Sequence, residues 1–106
     1  NVMGVDKERI ESWMRVVAAD LGPKGIRVNA FSAGALKSLE AAGIGVFRKM
    51  QNYAVKAEPV RRTVTIEEIG NTAAFLCSDL ASGITGETTY VDAGVNIIGM
   101  VFDEDE

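Results

Sequence analysis

Two short β-prone runs, one from about Ile26 to Phe31 and one from Thr88 to Val91, are separated by a long stretch whose apolar residues recur at helical spacing. That arrangement constrains the fold more than any other feature. Strands joined through a helical crossover pair in parallel, because a parallel connection must carry the chain back across the sheet. The expectation is an α/β architecture with helices packed on the faces of a parallel sheet. Parallel sheets are covered on both faces and carry more than two strands, so these residues read as part of a larger unit, incomplete on its own.

The elements follow from local pattern. From Lys7 to Leu21 the residues Ile10, Met14, Val17 and Leu21 make an apolar stripe that Trp13 and Val16 widen, which predicts an amphipathic helix. Gly22-Pro23 should end it, with Gly22 suited to a left-handed cap. The strand from Ile26 breaks at Ser32-Ala33-Gly34. Leu39 to Val55 is helical in pattern but interrupted at Gly43 and Gly45, which predicts two short helices with a pliable join. Thr65 can cap the next helix, and Glu68 completes a capping box. That helix should run from Ile66 to about Cys77, with Ile69, Ala73, Leu76 and the Cys77 thiol facing inward. Asp92-Ala93-Gly94 marks a turn after the last strand, and residues 101–106 form an acidic tail.

Composition narrows the chemistry. The 106 residues suit one domain, 1–106, and carry one cysteine and no histidine. Disulfide frameworks, thiolate or imidazole zinc sites and histidine-based triads are thereby excluded within this sequence. A net charge of −4 with no dense basic cluster argues against a nucleic-acid surface, and no apolar run is long enough to cross a membrane. No glycine-rich strand-to-helix turn of the dinucleotide-binding type is present. The pair Arg61-Arg62 could attract an acidic partner or be paired within the fold.

The segments NVMGVDK, LGPKGIRVNAFSAGALKSLEAAGIGVFRKM, PVRRTVTIEEIGNTAAFLCSDLASGITGE and YVDAG, in that order, closely resemble the C-terminal part of bacterial NADH-dependent enoyl-acyl-carrier-protein reductases. These enzymes form a divergent branch of the short-chain dehydrogenase/reductase family. The likeness runs from Asn1 to about Met100. GIRVNA and SGITGE occur across the wider family, whereas RRTVTIEEIGNTAAFLCSDL with AAGIGVFRKM points to the enoyl reductases. A ketoreductase of the same superfamily is the competing enzyme reading, and a self-associating, non-enzymatic α/β piece is the competing non-enzyme one.

The resemblance implies the C-terminal part of a Rossmann-type doubly wound sheet and a cytoplasmic, homotetrameric enzyme of fatty-acid elongation. NADH would be its cofactor and enoyl-acyl carrier protein its partner. Lys7 matches the family's active-site lysine, whose tyrosine would stand immediately before Asn1. Read from the sequence alone, Lys7 is an exposed lysine near a helix start. Ala35, Leu36 and Ser38 fall where the family contacts the nicotinamide carboxamide and the pyrophosphate. Residues 39–57 match the substrate flap, with Phe47 and Met50 offered to the acyl chain; by periodicity the two are equally the buried side of a surface helix. Three positions depart from the family pattern: Asp6 where a small residue is usual, Ala35 where proline is usual, and Ala93 in place of the middle residue of Asp-Gly-Gly. An alanine needing positive φ at position 93 would cost about 1 kcal/mol.

Overall fold

Helix α1, Val2–Leu21, forms where the apolar stripe predicts it and begins earlier than Lys7. It stops at Leu21, but the left-handed residue is Gly25 (φ 78°) rather than Gly22, because Gly22–Lys24 first closes one 3-10 turn with proline in it. The computed structural model describes residues 2–34 and 44–98, and of residues 2–7, 44, 46, 47, 50, 51 and 54 it describes the backbone alone. The remaining elements are β1 (Ala30–Ala33), α2 (Ile44–Ala57), α3 (Ile66–Cys77) and β2 (Thr88–Val91).

The two strands lie side by side. The Gly86 N–H donates to the Val28 carbonyl (2.8 Å), that of Ala30 to Glu87 (3.0 Å) and that of Gly34 to Val91 (3.0 Å). Partner numbers rise together along both chains, so the pair is parallel, as the helical crossover requires. Strand β2 occupies the predicted residues. Strand β1 starts at Ala30, not Ile26, and the cause is non-local. The Val28 N–H goes to the Thr85 hydroxyl (3.1 Å), while Asn29 bridges the Ile84 carbonyl (2.9 Å) and the Glu87 N–H (3.1 Å). Arg27 grips the carbonyls of Ser78 (3.1 Å) and Ile84 (3.2 Å). Residues 26–29 are thus extended but tied to a loop.

Contacts divide the chain into two compact units, 1–31 with 73–89 and 32–72 with 90–106. In the first, Met14 and Ala18, one turn apart on α1, are buried, as are Leu76 and Ala81. Ile10, Trp13 and Val16 on the same helix stay 62–69% exposed, so the broad stripe is two faces, one covered and one not. A surface groove of about 450 Å³ lies along Val28, Phe31, Ala73, Leu76 and Cys77, with Arg27 and Asn29 at its wall. The Cys77 thiol is exposed, a correction to its expected place in the core. Leu76, one residue earlier on α3 and along the same groove, is buried.

In the second unit Ala57, Val64, Glu58 and Asp92 are buried among the described residues. Helix α2 is a single described helix whose first turn contains Gly45; Gly43 and the other expected short helix lie outside the described residues. Helix α3 begins at the predicted capping box. The Glu68 N–H donates to Thr65 Oγ1 (3.1 Å) and the Thr65 N–H returns to Glu68 Oε1 (2.9 Å). No described helix is long and apolar enough to cross a membrane.

Candidate functional site

The carboxyl edge of a parallel sheet is where open α/β folds place ligands, because the strands end there and the chain turns away on either side. Here that edge is made by the exits of β1 and β2. Gly34, directly after β1, is pressed against Asp92, directly after β2. A Cβ at Gly34 would stand 3.0 Å from the Asp92 Cα, so any side chain there would have to displace the Asp92 main chain by a few tenths of an ångström.

Asp92 is buried and fully employed. Its Oδ1 accepts from the Gly94 N–H (3.0 Å) and its Oδ2 from the Asn96 N–H (3.1 Å), which fixes the turn into a short 3-10 segment, Val95–Ile97. Between them Ala93 takes φ 58°, the left-handed conformation in which a side chain is strained. Gly94 follows at φ 91°, with the Pro59 ring 2.7 Å from where a Cβ would sit.

Pro59 belongs to the turn that leaves α2. There the Val60 N–H donates to the Ala93 carbonyl (3.1 Å), and the Arg61 N–H to the Glu58 carbonyl (2.7 Å). Arg61 has φ 64°, and its guanidinium donates to the same Glu58 carbonyl (2.8 Å). The Glu58 side chain is buried, and its Oε2 has no hydrogen-bond partner. Burial, reinforced by the negative charge of Asp92, pushes the Glu58 carboxyl above its ordinary range. Nothing in the sequence singles out this residue, since a glutamate before a proline in a connecting loop reads as solvated.

Arg62 is held by Glu68, with two short bonds of 2.7 and 2.9 Å. The guanidinium, and after it the Thr65 N–H, pull the Glu68 carboxyl down to about 2. Of the alternatives for Arg61-Arg62, pairing within the fold is therefore the observed one. Among the described residues no group of three or more His, Cys, Asp or Glu could hold a metal ion.

The expected site residues distribute as follows. Lys7 stands in the early part of α1, and Phe47 and Met50 stand one turn apart on α2; the side chains of all three lie outside what is described. Ala35, Leu36 and Ser38, just beyond Gly34, lie outside the described residues, as do Gly43 and the 101–106 tail. The capping and turn residues that shape the carboxyl edge, Gly34, Asp92 and Gly94, are described in full.

Comparison with known proteins bears directly on this arrangement. The family model described as Enoyl-(Acyl carrier protein) reductase matches residues 1–96. The NADH-dependent enoyl-[acyl-carrier-protein] reductase FabI of Haemophilus influenzae is 59% identical over 100 residues, 94% of this chain and 38% of its own length. That of Escherichia coli K12 is 53% identical over the same shares. The crystal structure of the Bacillus cereus enoyl-acyl carrier protein reductase, with NADP+ and indole naphthyridinone, superposes with TM-score 0.84 at 50% identity. It covers 94% of this chain and 39% of that one. The Anaplasma phagocytophilum reductase in complex with NAD gives TM-score 0.79 at 41% identity, covering 94% and 36%. The chain thus spans well under half the length of the curated relatives it matches, and its fold is part of theirs.

Proposed function

Since the chain belongs to the enoyl-(acyl carrier protein) reductase family, we propose that it forms the C-terminal part of an NADH-dependent enzyme. That enzyme would reduce the 2,3 double bond of enoyl thioesters on acyl carrier protein. The single observation that carries this reading is the match to relatives of that activity across 94% of the chain at 53–59% identity. The carboxyl edge supports it: parallel strands end at Gly34 and Asp92 with the backbones in close contact, and the segment assigned to the nicotinamide follows Gly34 directly. The fit to a dinucleotide extends to that end alone, since the sequence holds no glycine-rich phosphate turn.

When bound, NADH supplies the hydride that adds to the β-carbon of the enoyl thioester. Lys7 would place its ammonium on the cofactor ribose and bias the local potential towards the negative charge that develops on the thioester oxygen. The Leu36 backbone would hold the carboxamide, with Ala35 beside it setting the stiffness of the strand exit and Ser38 near the pyrophosphate. Residues 39–57 would serve as the substrate flap, with Phe47 and Met50 against the acyl chain.

Residues 1–106 alone are expected to be inactive, because neither the tyrosine that the resemblance pairs with Lys7 nor a glycine-rich phosphate turn is among them. The test is NADH oxidation with a crotonyl thioester. The complete protein should turn over and the 106 residues should not; turnover by the 106 residues alone would refute the division of labour. In the complete protein, Lys7→Met should lower kcat/KM by about a hundredfold or more.

A homo-oligomer is the second part of the reading, and one observation favours it. Ile10, Trp13 and Val16 form an uncovered apolar stripe on α1 beside the buried Met14 and Ala18. Trp13→Glu in the complete protein should shift it to a smaller species in sedimentation; an unchanged assembly would remove α1 from the subunit contact.

A further inference from the structure

Among the described residues, two carboxylates, Glu58 and Asp92, are buried in the same unit, and they are not equivalent. Asp92 spends both oxygens accepting from the amides of Gly94 and Asn96. Glu58 is 8% exposed, its Oε2 is unpartnered, and no ion pair to it is found among the described residues. A buried carboxylate without donors beside a second negative charge is unfavourable unless it carries a proton.

The charged groups around it do not relieve that. Arg61 directs its guanidinium to the Glu58 main-chain carbonyl, and Arg62 is bound to Glu68. Asp92, on the far side of the turn contact, adds repulsion.

The two residues stand at a junction. Glu58 is the residue after α2, and Asp92 is the residue after β2. Described contacts join the two turns: the Val60 N–H donates to the Ala93 carbonyl, and the Pro59 ring lies against Gly94. Both turns also hold a non-glycine residue at positive φ, Arg61 and Ala93, so each carries local backbone strain.

We infer that Glu58 and Asp92 form a proton-dependent clasp, closed while Glu58 is protonated and loosened when it ionises, which fixes the end of α2 to the end of β2. The chemistry is uptake of one proton by a buried carboxyl, with no other reactant. Burial first, and Asp92 second, raise the Glu58 carboxyl above its ordinary 4.5. The sign follows. A carboxyl with a raised folded value contributes stability that is fully present below 4.5 and is lost as pH rises through that folded value. The clasp is thus tight in acid and weakest once pH has passed that raised value. Its consequence for substrate handling rests on the reading of 39–57 as a flap, since α2 is the described part of that segment; the clasp itself does not.

Amide hydrogen exchange at Val60 in the complete protein tests it, corrected for the intrinsic pH dependence of exchange. Protection should fall about tenfold or more between about pH 4 and about pH 8 in the wild type. It should stay high at both in Glu58→Gln and in the apolar, volume-matched Glu58→Met. Protection that is equal at both pH values, absent at the lower one, or lost alike in the two variants overturns the clasp. No cofactor enters the measurement, so NADH oxidation can fail while the clasp stands, and the reverse.

Discussion

Ala93 and Gly94 sit next to one another in the left-handed region and answer oppositely to a methyl group. At Gly94 an added Cβ meets the Pro59 ring at 2.7 Å, so Gly94→Ala combines backbone strain with overpacking and should cost about 2–3 kcal/mol in a denaturant titration of the complete protein. At Ala93 the change runs the other way. Ala93→Gly relieves about 1 kcal/mol of left-handed strain, offset in part by the greater freedom of the unfolded chain, for a net gain of about 0.5 kcal/mol. Gly34→Ala should cost at least as much as a routine core overpacking, about 1–3 kcal/mol, because the atom it meets is the Asp92 main chain and cannot swing aside.

At the scale of elements, the start of α3 is the most electrostatically defined feature. Glu68 is held down to about 2 by Arg62 and the Thr65 N–H, so its contribution is fully present above the ordinary 4.5 and is lost as pH falls through about 2. Acid unfolding of Glu68→Gln should therefore be shallower than wild type across that window, and parallel curves would show that the pair is too solvated to matter. Thr65→Ala should cost about 1 kcal/mol through loss of the cap. This helix and β2 were legible to the residue, because a capping box and a β-branched run are local signals. Strand β1 was not, since the groups that take residues 26–29 out of the ladder come from Ser78, Ile84, Thr85 and Glu87, far along the chain. Cys77 was misplaced for a related reason: periodicity shows that a helix has an apolar face but not which neighbour covers its last turn. Glu58 had no sequence signal at all, its burial being a product of two turns meeting. The expected ligand contacts at Lys7, Ala35, Leu36, Ser38, Phe47 and Met50 remain resemblance-based proposals, because the side chains or residues concerned lie outside what is described.

At the scale of the whole molecule, apolar surface outweighs core among the described residues. The buried apolar ones among them are Met14, Ala18, Ala57, Val64, Leu76 and Ala81, while Leu80 is 84% exposed and Trp13, Ile10, Phe31 and Phe75 are also uncovered. Relatives more than twice as long supply further chain that would cover such faces, and residues 1–106 alone should self-associate or melt without cooperativity. Size-exclusion chromatography with circular dichroism would show it, and a compact monomer with a sharp transition would count against it. The strand pairing adds a constraint of a different kind. Asn29 on the approach to β1 waits for Glu87, 58 residues later, before its bond can close. At roughly 5–20 residues per second, synthesis of that interval takes about 3–12 s. During it β1 is a bare strand edge outside the ribosome, so the crossover helices set the length of time for which the nascent chain is open to mispairing.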